Sequence, residues 1–215
     1  MDIALIDYLA RYAHFLAGIT WIGILYYFNF IQGEYFKVAD ASSRVDAFTQ
    51  LVPRALWWFR WGAMFTFLTG LVMLGIRGAG ATLDITIGAV LGTLMFLNVW
   101  LIIWPNQKIL IASNEQVKGG GEALPEAAGA APKAALASRT NTLFSVPMLF
   151  FMGSSAHYSH GSAVGSTALI VALVIVALLE LNAIMGKQGP MTTVKGVISH
   201  GFILTVVLWG IVEYL

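Results

Sequence analysis

The sequence predicts an all-α, polytopic integral membrane protein, built as a helix bundle with about six transmembrane helices. Hydrophobic residues make up 58% of its 215 residues and charged residues only 11%, whereas soluble domains carry about 25% charged residues. The mean hydropathy is +0.78, and long runs without Asp, Glu, Lys or Arg recur along the chain. This composition excludes a disordered chain and a nucleic-acid-binding protein, and it is not typical of a soluble enzyme.

Apolar runs of about 20 residues, the length that crosses a bilayer, locate the first three helices. The first run is 12–33 and the third is 85–107. The second runs from about 55 to 77 and includes Arg60.

The uncharged stretch 140–179 is long enough for two further helices, separated by the Gly- and Ser-rich stretch 154–166. The fifth helix continues to about 186, and the sixth begins near Pro190 and runs to the C-terminus. Five spans are the alternative, if 140–159 is re-entrant. The segment 115–137 is rich in Gly, Ala, Pro and Glu and predicts a mobile cytoplasmic loop within one membrane domain, 1–215.

The distribution of Lys and Arg predicts the orientation. Ten of the 12 fall in segments 34–60, 106–139 and 187–195, which six helices place on one side, and only Arg11 and Arg77 fall on the other. The positive-inside rule assigns the first side to the cytoplasm. Both termini are therefore expected on the opposite side.

The chain has no cysteine. This excludes disulfides, iron–sulfur clusters, thiolate zinc sites and covalent c-type haem attachment through CxxCH. The histidines predicted to lie within the membrane are the main candidates for redox chemistry.

Two of these histidines each have a glycine one helical turn away. Gly18 follows His14 in the first span, and Gly153 precedes His157 near the outer end of the fourth. A haem needs an imidazole as axial ligand to its iron and space for the porphyrin edge, so the two histidines are predicted to hold one haem b. The alternative is that they are hydrogen-bonded histidines beside packing glycines. His160 is interpreted as an interfacial residue.

Two ionisable residues are predicted near mid-depth, towards the cytoplasm. His200, in the sixth span, can replace His157 as a haem ligand, ligate a second haem, or carry a proton. Glu180, in the fifth, is expected at a similar depth, and together they are candidate catalytic residues for proton uptake. The alternative for Glu180 is a protonated carboxyl without a role.

Arg60, Asn98, Arg139 and Asn141 also approach the cytoplasmic side. Arginine offers a planar fork of donors, and asparagine offers a donor and an acceptor. They are candidate binding residues for an anionic, amide-rich heterocycle. Interface anchoring and helix capping explain the same residues equally well.

Four segments of the sequence form a recognisable set: HFLAGITWIGILYYFNF at 14–30, RALWWFRWG at 54–62, NVWLIIWPNQ at 98–107 and ASRTNTLFSVPMLFFMG at 137–153. Together they resemble the membrane domain of the bacterial membrane-bound urate oxidase (urate hydroxylase) family, and the resemblance covers nearly the whole chain.

This resemblance implies purine oxidation in the bacterial inner membrane, and the side on which the charge distribution places both termini is then the periplasm. Typical members carry a C-terminal c-type cytochrome domain that passes electrons from urate to the respiratory chain. Because this sequence has no cysteine, the expected protein partners are a separate c-type cytochrome or respiratory-complex subunits. The lipid bilayer is the other expected partner, and no nucleic acid is expected to bind. One or two b haems are expected, and an oligomer is compatible with the sequence. The alternatives are a non-catalytic membrane subunit and a small-solute transporter.

Overall fold

The computed structural model describes residues 2–163 and 165–215 and shows an all-α protein. Within these residues there is no β-strand beyond one isolated bridge between Thr82 and Ser162. The predicted number of membrane spans, six, stays a prediction, and the described residues contain six long helices. They are α1 (Ile3–Val38), α2 (Ala41–Arg77), α3 (Leu83–Lys118), α4 (Ala127–His157), α5 (Thr167–Met185) and α6 (Val194–Tyr214).

Five of these helices, all except α4, are long and apolar enough to cross a membrane. The chain is therefore consistent with a multi-pass membrane protein. α4 is a continuous helix of 31 residues with many buried polar side chains, among them Thr140, Asn141 and Ser145. It tolerates them because it packs against α1, α3, α5 and α6, so that its surface faces protein.

Three helices contain a π-helical turn near the end that carries most of the lysines and arginines. The turns are Tyr27–Gln32 in α1, Ala47–Leu51 in α2 and Asn98–Ile103 in α3. A π-turn carries an extra residue per turn and is frequently found at functional sites. Two of these turns contact α4.

Side-chain caps fix where several helices begin. Thr82, Ser166 and Thr193 each accept a hydrogen bond from the backbone N–H three residues later, as N-cap residues do. Asp40 caps α2 in the same way. The hydrogen bonds from Ser43 and Ser42 hold the pKa of this exposed carboxyl below its ordinary value.

Glycines allow close contact between the helices. A Cβ on Gly62 of α2 would lie 3.1 Å from the backbone nitrogen of Trp21 in α1. A Cβ on Gly88 of α3 would lie 3.2 Å from the backbone nitrogen of Met152 in α4. The α1–α2 and α3–α4 pairs are therefore tightly apposed, and Phe67 and Phe96 stack at 4.2 Å between α2 and α3.

Two predicted boundaries were wrong. The predicted loop 115–137 is helical at both ends, because α3 continues to Lys118 and α4 already begins at Ala127. Alanine, abundant in 127–137, is the strongest helix former, so the Gly- and Pro-rich turn is limited to 119–126. Pro190 does not begin the sixth helix. It lies in a 3₁₀ turn, Gly189–Thr192, and α6 starts at Val194 after the Thr193 cap.

Candidate functional site

A buried polar network joins three of the residues that the sequence singled out, and we call it the amide–carboxyl network. Asn98 in the π-turn of α3 donates from Nδ2 to Asn141 Oδ1 at 3.0 Å and to Glu180 Oε2 at 3.1 Å. Asn141 donates in turn to the Met95 carbonyl at 2.9 Å. The network therefore connects α3, α4 and α5 through side chains alone.

The polar side chains of this network are largely buried. Asn98 is 1% exposed and Asn141 is fully buried, while Glu180 is half-buried. Glu180 is the only acidic residue of α5, and an ionisable group within a membrane span is costly unless it is used or paired. Its described hydrogen bond ends at Oε2, which leaves Oε1 to take up a proton. The two amides fix the position of that carboxyl.

A second set of polar contacts, which the sequence reasoning missed, joins α1 to α4. Asn29 in the π-turn of α1 donates to Ser138 Oγ at 2.8 Å and to the Leu25 carbonyl at 2.9 Å. The hydroxyls of Tyr26 and Ser145 lie 2.8 Å apart. Asn29 could have been selected from the sequence, because it is a polar residue within an apolar run.

The two predicted arginines lie outside the network. Arg139 lies two residues before Asn141 on α4 and hence on a different face of the helix. It is 8% exposed, and its Nη1 has no hydrogen-bond partner in the described part of the chain. Arg60 stacks on Trp104, with its guanidinium carbon 3.5 Å from the ring centroid. The four predicted substrate residues thus lie in three places.

His14 faces α2. Its Nδ1 lies 3.1 Å from Thr69 Oγ1, and the Thr69 hydroxyl already donates to the Phe65 carbonyl at 2.6 Å. Nδ1 is therefore the donor, and Nε2 keeps its lone pair. The His14 ring also lies beside Gly70, whose Cβ position is 3.4 Å from Cε1. A Cβ on Gly18 would meet no heavy atom within 4 Å, so this glycine makes no close helix contact here.

The two histidines predicted to hold a haem lie on different helices and in different surroundings. His157 is exposed on the last turn of α4, beside exposed Gly153, while His14 is directed into the α1–α2 interface. A bis-histidine haem needs both imidazoles directed at the metal from opposite sides, and Nε2 of His14, which keeps its lone pair, is the atom that would ligate. Haem b stays a prediction.

His200 lies on α6, six residues after Val194, or roughly 9 Å from the helix start at 1.5 Å per residue. The sequence predicted about 15 Å, because it began the helix at Pro190. Its Nδ1 donates to the Gly196 carbonyl at 2.8 Å. As in His14, this leaves Nε2 free as an acceptor or ligand. In the residues that the structure describes, no hydrogen bond joins His200 to Glu180.

The other end of the bundle carries an ionisable cluster that the sequence did not predict. His160 lies between two carboxylates, with Nδ1 2.8 Å from Asp84 Oδ1 and Nε2 2.9 Å from Glu213 Oε2. Asp84 is fully buried and also accepts from Ser154 Oγ at 2.7 Å. Tyr158 donates to Glu213 at 3.1 Å, and this bond raises the pKa of the Tyr158 phenol. We call Asp84, His160 and Glu213 the outer cluster.

The outer cluster is not a metal site. His160 lies between the carboxylates, so the three side chains do not converge on one point. Across residues 2–163 and 165–215, no group of three or more His, Asp or Glu side chains could hold a metal ion. His160, interpreted from sequence as interfacial, instead links α3, α6 and the segment after α4.

A family match is found when the chain is compared with known proteins. The sequence profile described as "urate oxidase N-terminal" matches residues 76–209, more than half of the chain. The matched region contains Asn98, Asn141 and Glu180 and excludes His14 and Arg60. No curated protein and no solved structure matches the chain.

Proposed function

The chain belongs to the urate oxidase N-terminal family, and from that premise we propose that it is the membrane subunit of a urate-oxidising oxidoreductase. The observation that carries the proposal is the amide–carboxyl network, which lies within the matched region and holds a lone carboxyl among apolar residues. We propose a bacterial inner membrane location with both termini periplasmic, because ten of the 12 cationic residues lie at the opposite end of the bundle.

The proposed reaction is the two-electron oxidation of urate with water as the oxygen source. Water adds to the purine ring to give 5-hydroxyisourate, and two protons and two electrons leave. The electrons pass one at a time to two molecules of a c-type ferricytochrome, the separate partner that this proposal requires. The two ferricytochromes accept the two electrons that urate loses, so the reaction is balanced.

The network supplies the proton chemistry in this proposal. Glu180 accepts a proton through Oε1 as water attacks, and Asn98 holds the carboxyl in place through Oε2. Asn141 is a positioning residue, because it acts through its hydrogen bond with Asn98. His200, with Nε2 free, is the proposed second proton carrier. Arg139 lies on another face of α4 and takes no part in this network.

The experiment is urate-dependent reduction of ferricytochrome c by the purified protein in nanodiscs, compared among variants. Glu180→Gln keeps the size and the hydrogen bond but removes the base, so kcat is expected to fall by about a hundredfold or more. Asn141→Ala leaves Asn98 without its second acceptor and is expected to lower kcat less, with an altered pH profile. The matched control is Asn114→Ala, because the side chain of Asn114, within the described residues, bonds only the Leu110 carbonyl of its own helix.

Two results would contradict this account. Full activity of Glu180→Gln would remove the carboxyl from the chemistry. No urate-dependent reduction by the folded wild-type protein, with an active cytochrome present, would favour the alternative of a non-catalytic membrane subunit.

A further inference from the structure

Two cationic side chains converge on a single indole ring at the lysine- and arginine-rich end of the bundle. The guanidinium carbon of Arg60, on α2, lies 3.5 Å from the centroid of the Trp104 ring and 5.5 Å from that of Trp100, both on α3. Nζ of Lys108, one turn after Trp104, lies 5.7 Å from the Trp104 centroid. Cation–π attraction holds each cation near the ring, but the two cations repel each other.

No carboxylate of the described chain offsets this repulsion. The ion pairs found in residues 2–163 and 165–215 involve Arg11, Lys37, Lys118 and His160, and neither Arg60 nor Lys108 is among them. Arg60 donates from Nε to the Leu56 carbonyl at 3.3 Å. The two terminal nitrogens of Arg60 have no acceptor among the described residues. Their N–H bonds lie in the plane of the guanidinium, so they can donate two parallel hydrogen bonds to two oxygens of one anion.

The surroundings of this pair are those of a membrane interface. Trp57 and Trp61, on the same helix as Arg60, are 48% and 36% exposed. Trp61 contacts Trp100 edge-to-face with ring centroids 5.9 Å apart. Exposed tryptophans concentrate at the depth of the lipid headgroups and glycerol backbone. The two cations are therefore at the level where a phospholipid presents its phosphate.

We propose that Arg60 and Lys108, supported by Trp100 and Trp104, form a binding site for the phosphate of an anionic phospholipid. Trp57 and Trp61 contact the glycerol and upper acyl region of the same lipid. The guanidinium fork binds two phosphate oxygens, and the ammonium supplies a second positive charge. Basic pockets between membrane helices bind anionic headgroups in this way. This assigns Arg60 to lipid instead of substrate, and it does not depend on the proposed urate oxidation.

The test measures quenching of tryptophan fluorescence by brominated lipids. The protein is reconstituted in phosphatidylcholine vesicles with a minor, equal fraction of either dibrominated phosphatidylglycerol or dibrominated phosphatidylcholine. Because the site tryptophans contact the bound lipid, the wild type is expected to be quenched more strongly by the anionic lipid. Equal quenching by both lipids would overturn the proposal.

Variants locate the site. Arg60→Gln and Lys108→Gln, each checked for an unchanged elution volume and helix content, are expected to lower the relative association constant for the anionic lipid by about fivefold. Lys133→Gln removes an exposed charge from α4 at the same end of the bundle and is expected to keep the preference. If Lys133→Gln lowers the preference as much as Arg60→Gln, the effect is general surface charge and the proposal is wrong.

Competition distinguishes the source of the anion. Inorganic phosphate or urate is added to the wild type, and sodium chloride of the same ionic strength serves as control. The proposal predicts that neither anion removes the lipid preference beyond the chloride effect. If phosphate or urate alone removes it, the site binds a soluble anion and the lipid assignment fails, whatever the result of the urate oxidation assay.

Discussion

His160 contacts two carboxylates, one through each of its ring nitrogens. A carboxylate oxygen can only accept a hydrogen bond, and both ring nitrogens of His160 lie within 2.9 Å of one. Both bonds form together when both nitrogens carry a proton. Asp84 also accepts the backbone N–H of His160 at 2.8 Å. The residue therefore ties the start of α3 to the end of α6.

We predict that His160→Ala lowers the thermal midpoint of unfolding. Asp84 keeps its bonds from Ser154 and from the backbone of residue 160 but loses the imidazole. The expected loss is about 1–3 kcal/mol of unfolding free energy. The matched control is His157→Ala, because His157 lies exposed three residues earlier. Equal midpoints for the two variants would show that the outer cluster contributes nothing to stability.

Only some of the residues in the two polar clusters could be predicted from the sequence. Glu180, Asn98 and Asn141 were selected separately, since each is polar within an apolar run, and the structure joins them. Asp84 was missed because an acidic residue in a first helical turn is explained by the helix dipole alone. Which side chains meet depends on how each helix is rotated about its axis, and one sequence with weak amphipathic pattern does not determine that rotation.

At the scale of the element, the α1–α2 pair depends on the absence of one side chain. A Cβ on Gly62 would lie 3.1 Å from the Trp21 nitrogen and 3.3 Å from the Ala17 carbonyl oxygen. Both neighbours are backbone atoms, which cannot move without separating the helices. A Cβ on Gly75, in the same helix, would meet no heavy atom within 4 Å.

We predict that alanine at these two glycine positions changes the thermal midpoint of unfolding in opposite directions. Alanine is the better helix former by about 1 kcal/mol, so Gly75→Ala is expected to raise the thermal midpoint. Gly62→Ala is expected to lower it, because overpacking costs about 1–3 kcal/mol. The measurement is the unfolding midpoint in one detergent. A rise for both variants would mean that α1 and α2 are not closely apposed at Gly62.

The helices were predictable in number, but their lengths were not. Apolar runs gave the central parts of α1, α2 and α3, whereas the structure extends each of these helices to 36 or 37 residues. Two of the three π-turns are followed within two residues by a proline, Pro53 in α2 and Pro105 in α3. Proline removes a backbone N–H donor from the helix, and this signal was not used in the prediction. α4 was recognised only from 140 onwards, since its first half is Ala-rich and contains Pro132 and Lys133.

At the scale of the whole molecule, the two polar centres lie in different parts of the bundle. The amide–carboxyl network joins α3, α4 and α5 within the matched region, and the outer cluster joins the start of α3 to the end of α6. The proposed function places proton chemistry at the network and the cytochrome partner on the side of the outer cluster, and a redox group between the two would have to carry the electrons. The composition predicted the membrane class, and the four segment resemblances predicted the family that the profile match confirms.

The most direct measurement is the ratio of ferricytochrome c reduced to urate consumed by the wild-type protein in nanodiscs without oxygen. The account predicts two reduced cytochromes for each urate, with 5-hydroxyisourate as the first product, because water supplies the oxygen atom. Urate left unchanged by the folded protein, or consumed only when oxygen is admitted, would contradict the proposed membrane urate oxidation.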